Sequence, residues 1–232
     1  MPVRRYVALV CLEPVIIGQL AKLKELDLND TKISALPDSI GQLAKLQSLN
    51  LRFTNISALP DSIGQLANLK DLDLSGTKIS ALPDSIGQLA ALQRLDLSGT
   101  SISVLPDFIG QLTELQGLYL SNTNISALDS IGQLANLKGL DLSGTSISAL
   151  PDSIGQLAEL QVLGLSYTNI SALPDSIGQL MELQGLYLSN TNISALDSIG
   201  QLANLKKLDL SGTKIAELPP ACWSGTPSLQ GS

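Results

Sequence analysis

The chain has 232 residues; 44% are hydrophobic, only 3% are aromatic, and none is histidine. A core must therefore be built from Leu, Ile and Ala, and neither a Ser-His-Asp nor a Cys-His catalytic site nor a histidine metal ligand is possible. The net charge of −7 repels phosphate backbones and anionic lipid, which argues against nucleic acid and membranes as partners.

At the N-terminus, Arg4 and Arg5 precede a short apolar stretch, Tyr6 to Leu12, in the outline of a secretory signal. Glu13 and Pro14 interrupt it, and no small-residue cleavage site follows. Residues 17–22 already carry repeat sequence, so 1–22 is read as a degenerate N-terminal cap and the chain is expected to be cytoplasmic, with secretion as the alternative. No apolar run reaches the ~18 residues that a membrane span needs.

From Leu23 one phrase recurs, Leu-x-x-Leu-Asp-Leu-Ser-Gly-Thr-x-Ile-Ser-Ala-Leu-Pro-Asp-Ser-Ile-Gly-Gln-Leu-Ala-x, restarting at Leu46, Leu69, Leu92, Leu115, Leu137, Leu160, Leu183 and Leu205. The steps are 23 residues except for two of 22. Self-similarity at that period means a stacked solenoid, in which one copy cannot bury its own faces and neighbours must cover them. In the first copy Leu26 and Leu28 alternate with Glu25, Asp27 and Asn29, the period-two pattern of a strand buried on one face. Ile33 and Leu36 follow, and then Pro37, which cannot donate to a ladder. Asp38 is read as a cap for the turn beyond it. Ile40, Leu43 and Leu46 are spaced by three around Gly41, which favours a 3₁₀ or single helical turn over a long helix. Each copy thus predicts strand, loop and tight turn, and nine parallel strands about 4.8 Å apart span roughly 40 Å.

Leu23-x-x-Leu26-x-Leu28-x-x-Thr31-x-Ile33 resembles the consensus of leucine-rich repeat proteins. Leu36-Pro37-x-x-Ile40-Gly41-x-Leu43 is similar to the variable half of the 23-residue class of plant-intracellular and bacterial proteins, including arrays that precede GTPase modules in Roco proteins. The resemblance implies a right-handed α/β solenoid, a horseshoe with a parallel sheet on the concave face, short 3₁₀ turns on the convex side, and protein or peptide ligands on the sheet. The family's usual Asn is Thr in every copy, from Thr31 to Thr213, so a ladder of threonine hydroxyls on neighbouring carbonyls is expected in its place. Residues 23–217 form the nine repeats and 218–232 a C-terminal cap or truncated repeat, with Trp223 covering the last layer unless further repeats follow. Two copies lack the proline (Leu128-Asp129 and Leu196-Asp197), and 114–138 is identical to 182–206, as block duplication or design would leave it.

Positions shared by all copies are needed for stacking, so chemistry specific to this chain lies where copies differ. Side chains between the strand leucines face the inner wall. The central column there reads Asp27, Asn50, Asp73, Asp96, Tyr119, Asp141, Gly164, Tyr187, Asp209. The column before it contains Arg94 and Val162, and just past the strand come Phe53 and Tyr167. The first half is acidic, broken by Arg52 and Arg94. The second half sets Tyr119, Tyr167 and Tyr187 beside Gly117, Gly139 and Gly185, glycines that would leave room for a partner. Tyrosine offers large contact area with a polar tip and is enriched at binding hot spots. The candidate ligand-binding set is therefore Asp27, Phe53, Asp73, Arg94, Asp96, Tyr119, Asp141, Tyr167, Tyr187 and Asp209. The competing reading is that aspartate merely solubilises the strand and that duplication copied the tyrosines.

Other signals are weaker. Asp73 and Asp96, with Asp71 and Asn50 near, would present oxygens to Ca²⁺, but without a ligand loop no metal is expected. The column Asp38 to Asp197 and the glutamines at 42, 65 and 88 are read as structural. The Asn-x-Ser/Thr triplets at Asn29, Asn55, Asn124, Asn169 and Asn192 are read mainly as by-products of the recurring Asn-Ile-Ser phrase. Cys11 and Cys222 stand at opposite ends of the array, too far apart for a disulfide. Neither Gly-x-x-x-x-Gly-Lys-Ser/Thr nor Gly-x-Gly-x-x-Gly occurs, so no nucleotide or other cofactor is expected. The sequence points to a non-catalytic module binding a protein or peptide on its concave wall. The alternatives are a sensor fragment of a larger signalling protein of Roco type and a structural or designed array without ligand.

Overall fold

The computed structural model describes residues 20–215 and the backbone of Ser228–Leu229. The cap expected over 1–22 lies, except for 20–22, outside the described residues, as do Cys11, Cys222 and Trp223.

Leucine alternation produces short strands in every copy: β1 (Glu25–Asp27), β2 (Ser48–Asn50), β3 (Asp71–Asp73), β4 (Arg94–Asp96), β5 (Gly117–Tyr119), β6 (Gly139–Asp141), β7 (Val162–Gly164), β8 (Gly185–Tyr187) and β9 (Lys207–Asp209). They pair in parallel and in sequence order, each central leucine opposite the next: Leu26 with Leu49, Leu49 with Leu72, and on to Leu208. A tenth strand, β10 (Ser228–Leu229), pairs with β9, so the sheet runs one strand further than the nine copies predict. Each coil is locked to the next by repeated main-chain bonds just past the strand, such as Leu51 N–H to Asp73 O at 2.8 Å and Phe53 N–H to Ser75 O at 2.9 Å.

The core is a column of aliphatic layers. Leu72, Leu74, Ile79, Ile86, Leu89 and Leu92 of one coil have no measurable exposure. Full burial of such a side chain is worth about 1.5–3 kcal/mol against about 1 kcal/mol for a typical hydrogen bond, so leucine stacking dominates cohesion and polar groups set detail.

On the opposite side the Asp-Ser-Ile-Gly-Gln phrase forms 3₁₀ helices, as the three-residue spacing predicts, for example Asp61–Gln65 and Asp84–Gln88. Proline precedes them at φ −74 to −68° where it is present, a value its ring presets. In the fifth coil, which lacks it, only Ile131–Gln133 is helical. Gly64 is required by close approach: a Cβ there would lie 2.6 Å from the carbonyl oxygen of Ser85 and 2.7 Å from Gln88 Oε1, both of the next coil. The glutamine column thus packs over the preceding glycine.

Two expectations are corrected. The turn aspartates do not cap: each except Asp129 is the first residue of its helix, and no side-chain cap bond is made. Asp107 and Asp175 instead accept a hydroxyl from the next coil, Ser130 Oγ at 2.6 Å and Ser198 Oγ at 3.0 Å. Both donors belong to coils without the proline. The threonines, moreover, form no ladder between coils. Each hydroxyl donates to the carbonyl three residues back on its own strand end, as Thr77 Oγ1 does to Leu74 O at 2.7 Å. A side chain one atom shorter than Asn reaches its own turn but not the neighbouring coil. Side-chain bonding to main-chain carbonyls of the neighbouring coil falls instead to Asn68, Asn136 and Asn204, whose amides reach back to Ala44, Thr113 and Met181 at 2.7–2.8 Å.

Candidate functional site

The central column of the sheet wall has a structural duty that its composition did not disclose. Asp27, Asn50, Asp73, Asp96, Asp141 and Asp209 each accept, on Oδ1, the main-chain N–H two residues ahead at 2.9–3.0 Å. These Asx turns close the strand ends. The aspartates are therefore not merely solubilising. The exceptions are Tyr119, Gly164 and Tyr187, whose side chains hold no such acceptor.

Those three exceptions surround one cavity. It has a volume of about 440 Å³ and is lined by Tyr119, Asp141, Val162, Gly164 and Tyr187, with Ser143 and Ser166 at its edge. Its length follows from register: Tyr119, Asp141, Gly164 and Tyr187 are consecutive partners across β5 to β8, so the tyrosines stand three strand spacings apart, about 14 Å. Gly164 makes the gap, since a Cβ there would meet Asp141 Oδ1 at 2.6 Å and Ser143 Oγ at 3.1 Å. Val162, 44% exposed, supplies an apolar floor.

Both tyrosines lie down along their strands. A Cβ on Gly117 would come 3.1 Å from Tyr119 Cε2, and one on Gly185 3.2 Å from Tyr187 Cε2. The glycines expected to leave room for a partner leave room for the tyrosine rings themselves. Each ring is thereby seated over the glycine of its own strand.

Beside the cavity lies a charged cluster. Arg94 pairs with Asp96 at 2.7 Å and Asp71 at 3.3 Å, with Asp73 at 4.0 Å. Its guanidinium carbon stands 4.9 Å from the centroid of the Tyr119 ring. Partial burial works against the charged guanidinium, but Asp71, Asp96 and Asp73 outweigh it and raise its pKa above the ordinary arginine value. The oxygens considered for Ca²⁺ are thus arranged around an arginine, and among the described residues no group of acidic or sulfur ligands is arranged for a metal ion.

The remaining candidates stand apart. Phe53 and Tyr167 are not on the strands but in the loop column Asp30 to Gly212, all at positive φ; they are held at +54° and +59° and are exposed. Arg52 covers the Phe53 ring at 4.5 Å. Tyr167 does not line the cavity, so two of the three tyrosines, not all, border it. Asp27 and Asp209 serve their Asx turns at opposite ends. Burial pushes the Asp209 carboxyl up, but bonds from Ser211 and Ser189 more than compensate and hold its pKa below the usual carboxylate range. The sequence reading missed Val162 and Gly164 as site residues. The signal was there, as the one hydrophobic residue in its column and the one missing side chain in the next.

Profiles of known families cover most of the chain: one described as "Leucine-rich repeat region" matches residues 12–72, 61–127 and 121–195, and one described as "Leucine Rich repeats (2 copies)" matches 182–222. The chain belongs to the leucine-rich repeat family. Curated proteins give no match. Among solved structures it is similar to a leucine-rich repeat protein of Leptospira interrogans, at 37% identity and a TM-score of 0.83 over 86% of this chain and 52% of that one. The chain therefore spans about half the length of that protein. Two internalins of Listeria monocytogenes share the fold: InlF at 24% identity, TM-score 0.70, covering 93% of this chain and 68% of that one, and InlC2 at 23%, 0.76, 86% and 84%. Among the described residues no helix is long and apolar enough to cross a membrane.

Proposed function

We propose that this leucine-rich repeat array is a non-catalytic binding module whose concave wall takes a protein or peptide segment across β5 to β8. The observation that carries this reading is the cavity between Tyr119 and Tyr187, formed where the array gives up its Asx turns. The fifth, seventh and eighth coils forgo that stabilising bond, and a recess lies among them. Aromatic walls, an apolar floor and a carboxylate are features of a binding hot spot. The acidic wall beside it favours a basic segment.

Photo-crosslinking tests the wall. With benzoylphenylalanine in place of Val162 on the sheet, or of the exposed Met181 on the far side, extracts of the source organism are irradiated. Adducts are expected from position 162, lost when Tyr119→Ala and Tyr187→Ala are combined, and absent from position 181. Equal adducts from both positions, or adducts from 181 alone, would reject the wall as the binding face.

A further inference from the structure

The chain contains the same tyrosine twice in two different settings. Residues 114–138 and 182–206 are identical, and Tyr119 and Tyr187 lie in the same pose over Gly117 and Gly185. What differs is the pair of coils in front of each. Register sets Arg94 beside Gly117 and Asp96 beside Tyr119, with Asp71 and Asp73 one strand earlier. In front of Tyr187 the corresponding positions hold Val162 and Gly164, with Gly139 and Asp141 one strand earlier. Where the first tyrosine has a guanidinium over its ring, the second has the open cavity. Of the three carboxylates around Arg94, one survives as Asp141. It takes the Ser143 N–H on Oδ1 at 3.0 Å, and among the described residues it has no cationic partner.

The geometry points to an arginine side chain of the partner as the occupant of this cavity, stacked on Tyr187 and paired with Asp141, as Arg94 is stacked on Tyr119 and stands 4.0 Å from Asp73, the carboxylate that occupies the position of Asp141. The proposal deepens the reading of the concave wall and rests on it for the partner's being a peptide or protein. Arginine is preferred over lysine because a flat guanidinium can stack on a ring and bridge to a carboxylate at once. A single carboxylate matches a single cation, whereas the three around Arg94 exceed the charge they meet. The apolar floor at Val162 suits the methylene stem of the side chain. The net charge of −7 favours the approach of any basic segment.

The test uses the intact chain and three probes: acetyl-Gly-Arg-Gly amide and its citrulline and lysine counterparts. Binding is followed through the NMR signals of the tyrosine rings, the Val162 methyls and the Gly164 amide. The arginine probe is expected to shift these signals saturably, with a dissociation constant on the order of 1–10 mM for one side chain. The citrulline and lysine probes should bind at least about threefold more weakly. Asp141→Asn, which keeps an acceptor for the Ser143 N–H, should weaken the arginine probe about tenfold. Val162→Arg should occupy the cavity from within and abolish binding; because Val162 is exposed, its thermal midpoint serves as the check on folding. Absence of a saturable shift, equal binding of citrulline or lysine, or full binding by a folded Val162→Arg variant would overturn the proposal. Crosslinks from position 162 without arginine binding would sink the occupant and spare the wall. Arginine binding without such crosslinks would do the reverse.

Discussion

Asp73 closes its strand on Ser75, accepting the main-chain N–H at 2.9 Å and the hydroxyl at 2.6 Å with the same oxygen. Asn50 makes the main-chain half of this arrangement with Arg52, so the position requires an acceptor and not a charge. Asp73→Ala is expected to cost about 1–2 kcal/mol and Asp73→Asn clearly less. Urea midpoints of the two variants against the parent chain measure the difference. Equal losses would mean that the charge matters and the turn does not.

The same logic runs in the opposite direction at Gly164. An asparagine there restores an acceptor for the N–H of Ser166 and replaces a glycine within a strand, together worth about 1 kcal/mol. The new Cβ meets Ser143 Oγ and Asp141 Oδ1, which closes its own turn, but Asp73 and Asp96 make both such turns on adjacent strands, so the two fit side by side. Gly164→Asn should therefore raise the urea midpoint while closing the cavity to the arginine probe. A variant more stable yet unaltered in binding would separate the cavity from function.

Most of the fold could be read before any coordinates because period and burial coincide. Leu26, Leu28, Ile40 and Leu43 are spaced as strand and 3₁₀ turn demand, and repetition removes the ambiguity that a single short apolar run would carry. The site was legible only in part. The columns already placed Tyr119, Asp141 and Tyr187 on the fifth, sixth and eighth rungs of one column. They could not show that Asp141 holds a turn, that Gly117 seats a ring, or that Tyr167 stands exposed at a left-handed backbone position outside the cavity. Those facts depend on dihedral angles and side-chain directions that no column of letters contains. The threonine ladder failed for a similar reason, since the reach of a hydroxyl decides which coil it joins.

Arg94 is the cation among three carboxylates of β3 and β4. Removing it leaves Asp71, Asp73 and Asp96 on two adjacent strands without their cation. Since the guanidinium side chain is 38% exposed, solvent screens the network, and a loss of about 1 kcal/mol is expected for Arg94→Ala at low salt. Because the deficit is repulsion between carboxylates, it should shrink in 1 M salt, where the Debye length is about 3 Å. Thermal midpoints at both salt concentrations decide this. A deficit independent of salt would assign the role of Arg94 to packing against Tyr119.

The serines of the convex turns divide into two kinds. The hydroxyls of Ser62, Ser85, Ser153 and Ser176 are buried and have no hydrogen-bond partner among the described residues, whereas Ser130 donates to Asp107. Ser85→Ala removes an unsatisfied group and should be neutral or stabilising by up to about 1 kcal/mol, while Ser130→Ala should cost about 1–2 kcal/mol, its partner being charged. The two changes delete the same atom, so opposite shifts in denaturation midpoint isolate the hydrogen bond.

Low pH should be felt at Asp209. Its folded-state pKa lies below the ordinary value of 3.8, so the carboxylate contributes stability that is fully present above the unfolded pKa of about 3.9 and is lost as pH falls through the folded value. Asp209→Asn still accepts the Ser211 N–H but cannot titrate. The parent chain should exceed this variant in urea midpoint near neutrality, and the gap should close below about pH 3.9. A gap constant with pH would show that the bonds from Ser211 and Ser189 do not discriminate charge.

Tyr167 occupies a backbone conformation that a bulky residue pays for in stability. Its φ of +59° lies in the left-handed region that Asn122 and Asn190 adopt in their coils, where an asparagine is tolerated and an aromatic residue costs roughly 1 kcal/mol or more. Its ring is 68% exposed, so little packing offsets that cost. Tyr167→Asn is expected to raise the thermal midpoint and, because the ring does not line the cavity, to leave the arginine probe's affinity unchanged. The pair of measurements distinguishes two origins for the residue. Greater stability with unchanged arginine binding but diminished crosslinking at position 162 would make Tyr167 a separate contact for the partner, retained at the rim despite its strain. Greater stability with both readouts unchanged would leave it without a role in binding, and a fall in arginine affinity would extend the cavity beyond the residues that line it.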